Sequence, residues 1–182
     1  MYSRPIVPKN FVVPGRLTGE AFHLRMLTVD DLVKDFDAII ASRTTLPAMM
    51  PPGDPWPEGV TLAENLIDLG WHQREFTLRH SFAFTMMTPD ESQCLGCCYI
   101  EPSDRQGYDV MASYWVRGDR LSGGLEASVG QAFRDWLKRD WPFQEIAFPG
   151  RDIPWNKWRA LPESRNGCGN PKESVPSRTE IE

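Results

Sequence analysis

Apolar and polar positions alternate early in the chain. Phe22, Leu24 and Met26 are interleaved with His23 and Arg25, which predicts a half-buried strand over residues 21–27. Thr28 and Asp31 have the spacing of a capping box, and Leu32, Phe36, Ile39 and Ile40 follow at helical intervals, predicting a helix to about Ser42. Thr61 with Glu64 is a second capping box, opening a helix to about Arg79 whose buried stripe is Leu62, Leu66, Leu69 and Phe76. Two apolar, aromatic-rich runs at 81–88 and 93–101 flank Pro89-Asp90-Glu91-Ser92 and predict an antiparallel hairpin. A further strand covers 107–117. After a loop over 118–123, Leu125, Val129, Ala132, Phe133, Trp136 and Leu137 mark the most regular amphipathic helix of the chain. Trp141-Pro142 stops it, residues 143–148 make a last strand, and a short turn or helix follows around 156–161.

Proline and glycine set the boundaries. Residues 1–19 read as an extended N-terminal arm, 20–161 as one domain, and 162–182, polar and mixed in charge, as a loosely attached tail. The stretch 44–60 holds Pro47, Pro51, Pro52, Pro55 and Pro57 and predicts a long loop. Its Met49, Met50 and Trp56 are either contact groups for a ligand or pins that hold the loop to the core.

The net charge of −5, without a Lys/Arg cluster, argues against a nucleic-acid partner. Apolar runs fall short of a membrane span, and residues 1–9 lack the features of a signal peptide, so the expected location is cytoplasmic. Of the four cysteines, Cys94 and Cys97 form a CxxC. Strand alternation puts Cys94 and Cys98 on one face and Cys97 on the other, while Cys168 and the isolated His23, His72 and His80 do not complete a ligand set. Reduced structural thiols and no metal are therefore expected.

The segment from Arg16 to Leu32, with its Leu17-Thr18 step, its Leu24-Arg25 strand and its Leu27-Thr28 entry to Asp30 and Asp31, resembles the opening of GNAT-superfamily acetyltransferases that modify ribosomal-protein N-termini. Leu95-Gly96 with Tyr99-Ile100 is similar to that family's third strand. Tyr114-Trp115-Val116, running through a polar turn into Gly124-Leu125, is similar to its fourth strand and cofactor loop. The resemblance covers about residues 15–150. It implies an α/β fold with a mixed, mostly antiparallel sheet flanked by helices, and an N-acetyltransferase that moves an acetyl group from acetyl-CoA to a primary amine of a small molecule or peptide. The region after the last strand reads as a shortened form of the family domain, whose apolar surface a second copy would cover in a homodimer.

A diphosphate needs convergent N–H donors and the positive end of a helix, with glycines to let the backbone approach. The resemblance assigns that role to Val116, Arg117, Arg120, Ser122, Gly123, Gly124 and Leu125. Aligning Gly124 with the family's middle glycine places Glu126 where a small residue is usual; one residue earlier, Arg120 and Gly123 match and Leu125 does not. An ordinary helix start with Ser122 as N-cap reads the same residues without a ligand. For chemistry, the resemblance implies an oxyanion donor on the strand backbone near Tyr114 to Val116. Glu101 and Asp109 are the candidate bases, His72 is a lesser one, and Tyr114 is the candidate acid. The alternative function is a binding module of the same fold that performs no chemistry.

Overall fold

In the computed structural model, which describes residues 4–164, six strands form one sheet in which each is hydrogen-bonded to the next in sequence. They are β1 (Arg16–Thr18), β2 (His23–Met26), β3 (Phe82–Met87), β4 (Cys94–Pro102), β5 (Val110–Val116) and β6 (Ile146–Ala147). Every neighbouring pair is antiparallel except β5 with β6, which is parallel. The helices are α1 (Leu32–Ser42), α2 (Leu62–Leu78), α3 (Leu125–Asp140) and α4 (Trp155–Ala160). This is the mixed, mostly antiparallel α/β architecture expected from the sequence.

Two cores lie on opposite faces of the sheet. One gathers Phe84, Ile100, Tyr114, Phe133 and Trp136 beneath α3. The other gathers Leu27, Ile39, Leu69, Cys97 and Trp115 beneath α1 and α2. The loop before α2 closes the second core: Leu46 is buried, Met49, Met50 and Trp56 pack on the cluster, and the Trp56 and Trp115 ring centroids are 6.3 Å apart. Its methionines and tryptophan therefore pin the loop. Arg159 of α4 secures it further by donating to the Pro52 carbonyl at 2.7 Å.

Four local expectations change. The arm contributes β1 and buries Val7, and it is held by the Ile6 N–H on the Arg79 carbonyl and by Arg79 donating to the carbonyls of Pro8, Lys9 and Phe11. In β2, His23 is buried along with Leu24, because helices cover both faces and Glu91 receives the ring nitrogen at 2.9 Å. The stripe of α2 is rotated: Leu62 and Leu66 are 45% and 44% exposed, while Asn65, Leu69 and Glu75 turn inward. Asn65 is drawn in by its 2.9 Å hydrogen bond to Asp35, a tertiary partner that outweighs side-chain hydrophobicity.

The fourth change is in β4. Opposite β3, Met86 pairs with Gly96 but Met87 pairs with Cys94, so the register slips by one residue. Gly96 permits this bulge: its φ is +138°, and a Cβ there would fall 2.0 Å from the Trp115 carbonyl oxygen. The extra residue reverses the alternation, so that Cys94 and Cys97 share the α1/α2 core while Cys98 lies in the other. Beyond α4, Pro162 and Ser164 bond to the backbone of Gln106 and Asp104; residues 165–182 of the expected tail lie outside the described residues.

Candidate functional site

The sheet parts between β5 and β6. Only Val110 with Ile146 and Met111 with Ala147 are paired, after which β6 ends and the chain turns at Pro149-Gly150. The Arg117 N–H reaches β4 at the Leu95 carbonyl, so alternation directs the backbone groups of Tyr114 and Val116 to the opposite edge, into the gap.

Past Val116 the chain is anchored before it is released. The Gly118 N–H donates to Ser42 Oγ at 2.9 Å, a single 3-10 turn follows, and then Gly123 and Gly124 take φ values of +105° and +80°. Gly124, not Ser122, is the N-cap of α3, and no side chain caps the helix. A Cβ built on Gly123 or Gly124 meets nothing within 4 Å. Space is open around both glycines, and the uncapped start of α3 brings the positive helix end beside the gap, an arrangement that suits an anion.

One side chain lies across that gap. Arg151 donates to the Tyr114 carbonyl at 3.0 Å and to Glu126 Oε1 at 2.9 Å, and its guanidinium carbon sits 3.6 Å from the Tyr114 ring centroid. The next residue, Asp152, pairs with Arg134 of α3, whose guanidinium covers Phe148. The segment after β6 is thus fastened to α3 by two ion pairs.

No protein-family model matches the sequence, and no curated protein matches it. Solved structures do. RimJ of Mycobacterium smegmatis in complex with CoA-disulfide superimposes with a TM-score of 0.58 at 17% identity, covering 79% of this chain and 68% of that one. The ribosomal-protein-S5-alanine acetyltransferase of Vibrio fischeri gives 0.55 at 14% identity, covering 68% and 67%. A GNAT-family acetyltransferase of Bordetella pertussis gives 0.55 at 13%, covering 73% and 77%. The chain has the GNAT fold.

Within this GNAT fold the residues singled out from sequence separate into groups. Tyr114, Val116, Gly123, Gly124 and Leu125 border the gap or the helix end; Val116 is fully buried and Leu125 packs on the core. Ser122 is exposed beside them. Arg117 is turned away and buried, donating to Asp119 Oδ1 at 2.8 Å and to Asp37 Oδ2 of α1. Arg120 donates to Gln93 Oε1 at 2.7 Å.

Glu101 faces Met111 near the far end of β5, roughly 17 Å from Val116 at about 3.3 Å per residue. Asp109 lies farther still and accepts the Gln144 and Glu145 N–H groups at 2.7 and 3.1 Å, a clamp that positions β6. The His72 ring packs at a tilt against Tyr99, centroids 5.2 Å apart, on the α1/α2 side. The Tyr114 hydroxyl rests over Gly130 of α3, where a Cβ would fall 2.2 Å from it, and burial raises its pKa above the ordinary tyrosine value against the opposing Arg151 charge.

Arg151 was invisible from sequence. A lone arginine after a Pro-Gly turn carries no signal, and its role depends on a return of the chain over β5. No described helix is long and apolar enough to cross a membrane.

Proposed function

We propose that this chain is an N-acetyltransferase that takes acetyl-CoA as co-substrate and acylates a primary amine on a small molecule or peptide. The observation that carries the reading is the uncapped N-terminus of α3, opened by Gly123 and Gly124, beside the place where β5 and β6 part. The neighbours crystallised with CoA or acetyl-CoA support the co-substrate: the M. smegmatis RimJ complex and the MccE acetyltransferase complex with acetyl-CoA and AMP, the latter at a TM-score of 0.52 and 8% identity.

The residues fit such a ligand. The N–H groups of Gly123, Gly124 and Leu125 are placed to receive a diphosphate, and an exposed sheet edge suits an extended amide-bearing arm. Acetyl-CoA supplies a thioester whose acyl carbon an uncharged amine attacks, forming the C–N bond as the C–S bond breaks and leaving a thiol. The Tyr114 and Val116 backbone edge lines the gap where the developing oxyanion needs a donor. Arg151 and Glu126 satisfy one another across the mouth, so seating the ligand exchanges Arg151's bond to the Tyr114 carbonyl for one to the ligand. Glu126 consequently keeps its charge away from the diphosphate.

Calorimetric titration with acetyl-CoA, followed by an acetylation assay over an amine panel, tests the reading. Ser122→Asp, which adds a negative charge at an exposed site without straining the backbone, is expected to weaken acetyl-CoA binding at least about tenfold. Absence of binding by the wild type overturns the transferase reading.

The fastened Arg151 favours a second reading, a module that keeps the fold and holds a ligand without chemistry. Arg151→Ala separates the two. A transferase should retain turnover with an altered KM for acetyl-CoA, whereas a binding module shows no turnover in either form. The homodimer reading draws support from Leu62, Leu66 and Ile67, apolar and exposed along α2 rather than in the region after the last strand, and a monomer mass by light scattering overturns it.

A further inference from the structure

We propose that Cys94, Cys97 and Asp35 form a binding site for a thiophilic divalent cation of the Zn²⁺ class, buried between β4 and α1 and separate from the gap beside β6. The Gly96 bulge creates the site. Without it Cys94 and Cys97 would lie on opposite faces of the sheet; with it both thiols meet the carboxylate that α1 presents from above. One ligand atom from each of the three residues lies within 4.8 Å of the other two, and all three residues are buried.

The geometry is near that of a metal centre. Cys97 Sγ is 3.4 Å from Asp35 Oδ1. Tetrahedral zinc, with metal–sulfur distances of about 2.3 Å and metal–oxygen of about 2.0 Å, sets sulfur and oxygen about 3.5 Å apart. The Cys97–Asp35 pair is thus already spaced for a shared ion, and the remaining pairs, all within 4.8 Å, need to close by at most about 1 Å. Asn65 donates to the other carboxylate oxygen at 2.9 Å, which orients Oδ1 toward the thiols as an outer-shell partner does. Thr85 Oγ1 donates to Met87 Sδ at 3.4 Å and lies 3.6 Å from Cys94 Sγ, so its hydroxyl borders the thiol pair.

Donor chemistry points the same way. Asp35 is hydrogen-bonded to Asn65 and Cys97, so its carboxylate and the two thiols converge on one buried point. A borderline-soft divalent ion suits two sulfurs and one oxygen. Magnesium and calcium, which take oxygen ligands, do not suit the set.

The test uses the full, reduced chain with Zn²⁺ or Co²⁺ alone. The expected result is one equivalent bound, with thiolate-to-cobalt charge-transfer absorption. That absorption should disappear in Cys94→Ser and Cys97→Ser, with at least about a hundredfold loss of affinity. Cys98→Ser, on the opposite face, and Cys168→Ser, outside the described residues, are expected to retain the band.

Should the ligand variants fail to fold, X-ray absorption on the zinc-loaded wild type reads the site directly. Two sulfurs at about 2.3 Å with a lighter oxygen neighbour are expected. No saturable binding by the reduced wild type, a band that survives both ligand variants, or a zinc shell without sulfur overturns the proposal. None of these outcomes depends on acetyl transfer.

Discussion

At Gly96 the absence of one methyl group decides which side of the sheet two cysteines occupy. Any L-residue there combines a φ of +138° with a collision against the Trp115 carbonyl. Gly96→Ala is expected to lower the unfolding free energy by about 3 kcal/mol, through backbone strain and overpacking together. The fall should appear as a lower urea midpoint at unchanged slope; a loss below about 1 kcal/mol would mean that the bulge relaxes freely.

Glu91 makes a second residue-scale case. Arg25, and to a lesser degree His23, hold its carboxyl down to about 2. A carboxyl whose folded pKa is depressed stabilises the fold above its unfolded value, near pH 4.3, and loses that contribution as pH falls toward 2. Because Glu91 is 39% exposed, solvent screening limits the effect to about 1 kcal/mol. Comparing acid unfolding of wild type and Glu91→Gln checks it: the variant should lose stability less steeply over that interval.

At the scale of elements, α2 shows where periodicity misleads. Leu62, Leu66 and Leu69 look equivalent in sequence, yet only Leu69 is buried. Leu69→Ala should cost about 3 kcal/mol, and Leu66→Ala less than about 1, as read by chemical denaturation. Equal losses would contradict the observed rotation of the helix. The cause is polar: Asn65 and Glu75 point inward because they have charged or polar partners, buried Asp35 for the first and the more exposed Arg74 and His80 for the second. Capping boxes fared better. Thr61 and Glu64 satisfy one another's backbone as their spacing predicts, since that interaction is local and needs no tertiary partner.

For the molecule as a whole, strand order and helix placement were legible because alternation and helical spacing record burial directly. The glycine pair at the start of α3 was legible for the same local reason: positive φ favours glycine. Other features were not. The slip at Gly96 could be anticipated from a glycine inside a strand, but its direction depends on β3. The seal over the gap needs Arg151, Tyr114 and Glu126 from three elements, and no short-range pattern encodes that meeting. Where Glu101 and Asp109 lie relative to the gap was not legible either: distance along β5 and the Asp109 clamp follow only from register.

The two-residue seam between β5 and β6 has a consequence for how the protein breathes. Its amides lie at the weakest joint of the sheet, so those of Ile146 and Ala147 should exchange with deuterium before those of β3, which is flanked by partners on both sides. A guest sliding along that joint would meet a door already ajar, with Arg151 as a bolt across Tyr114.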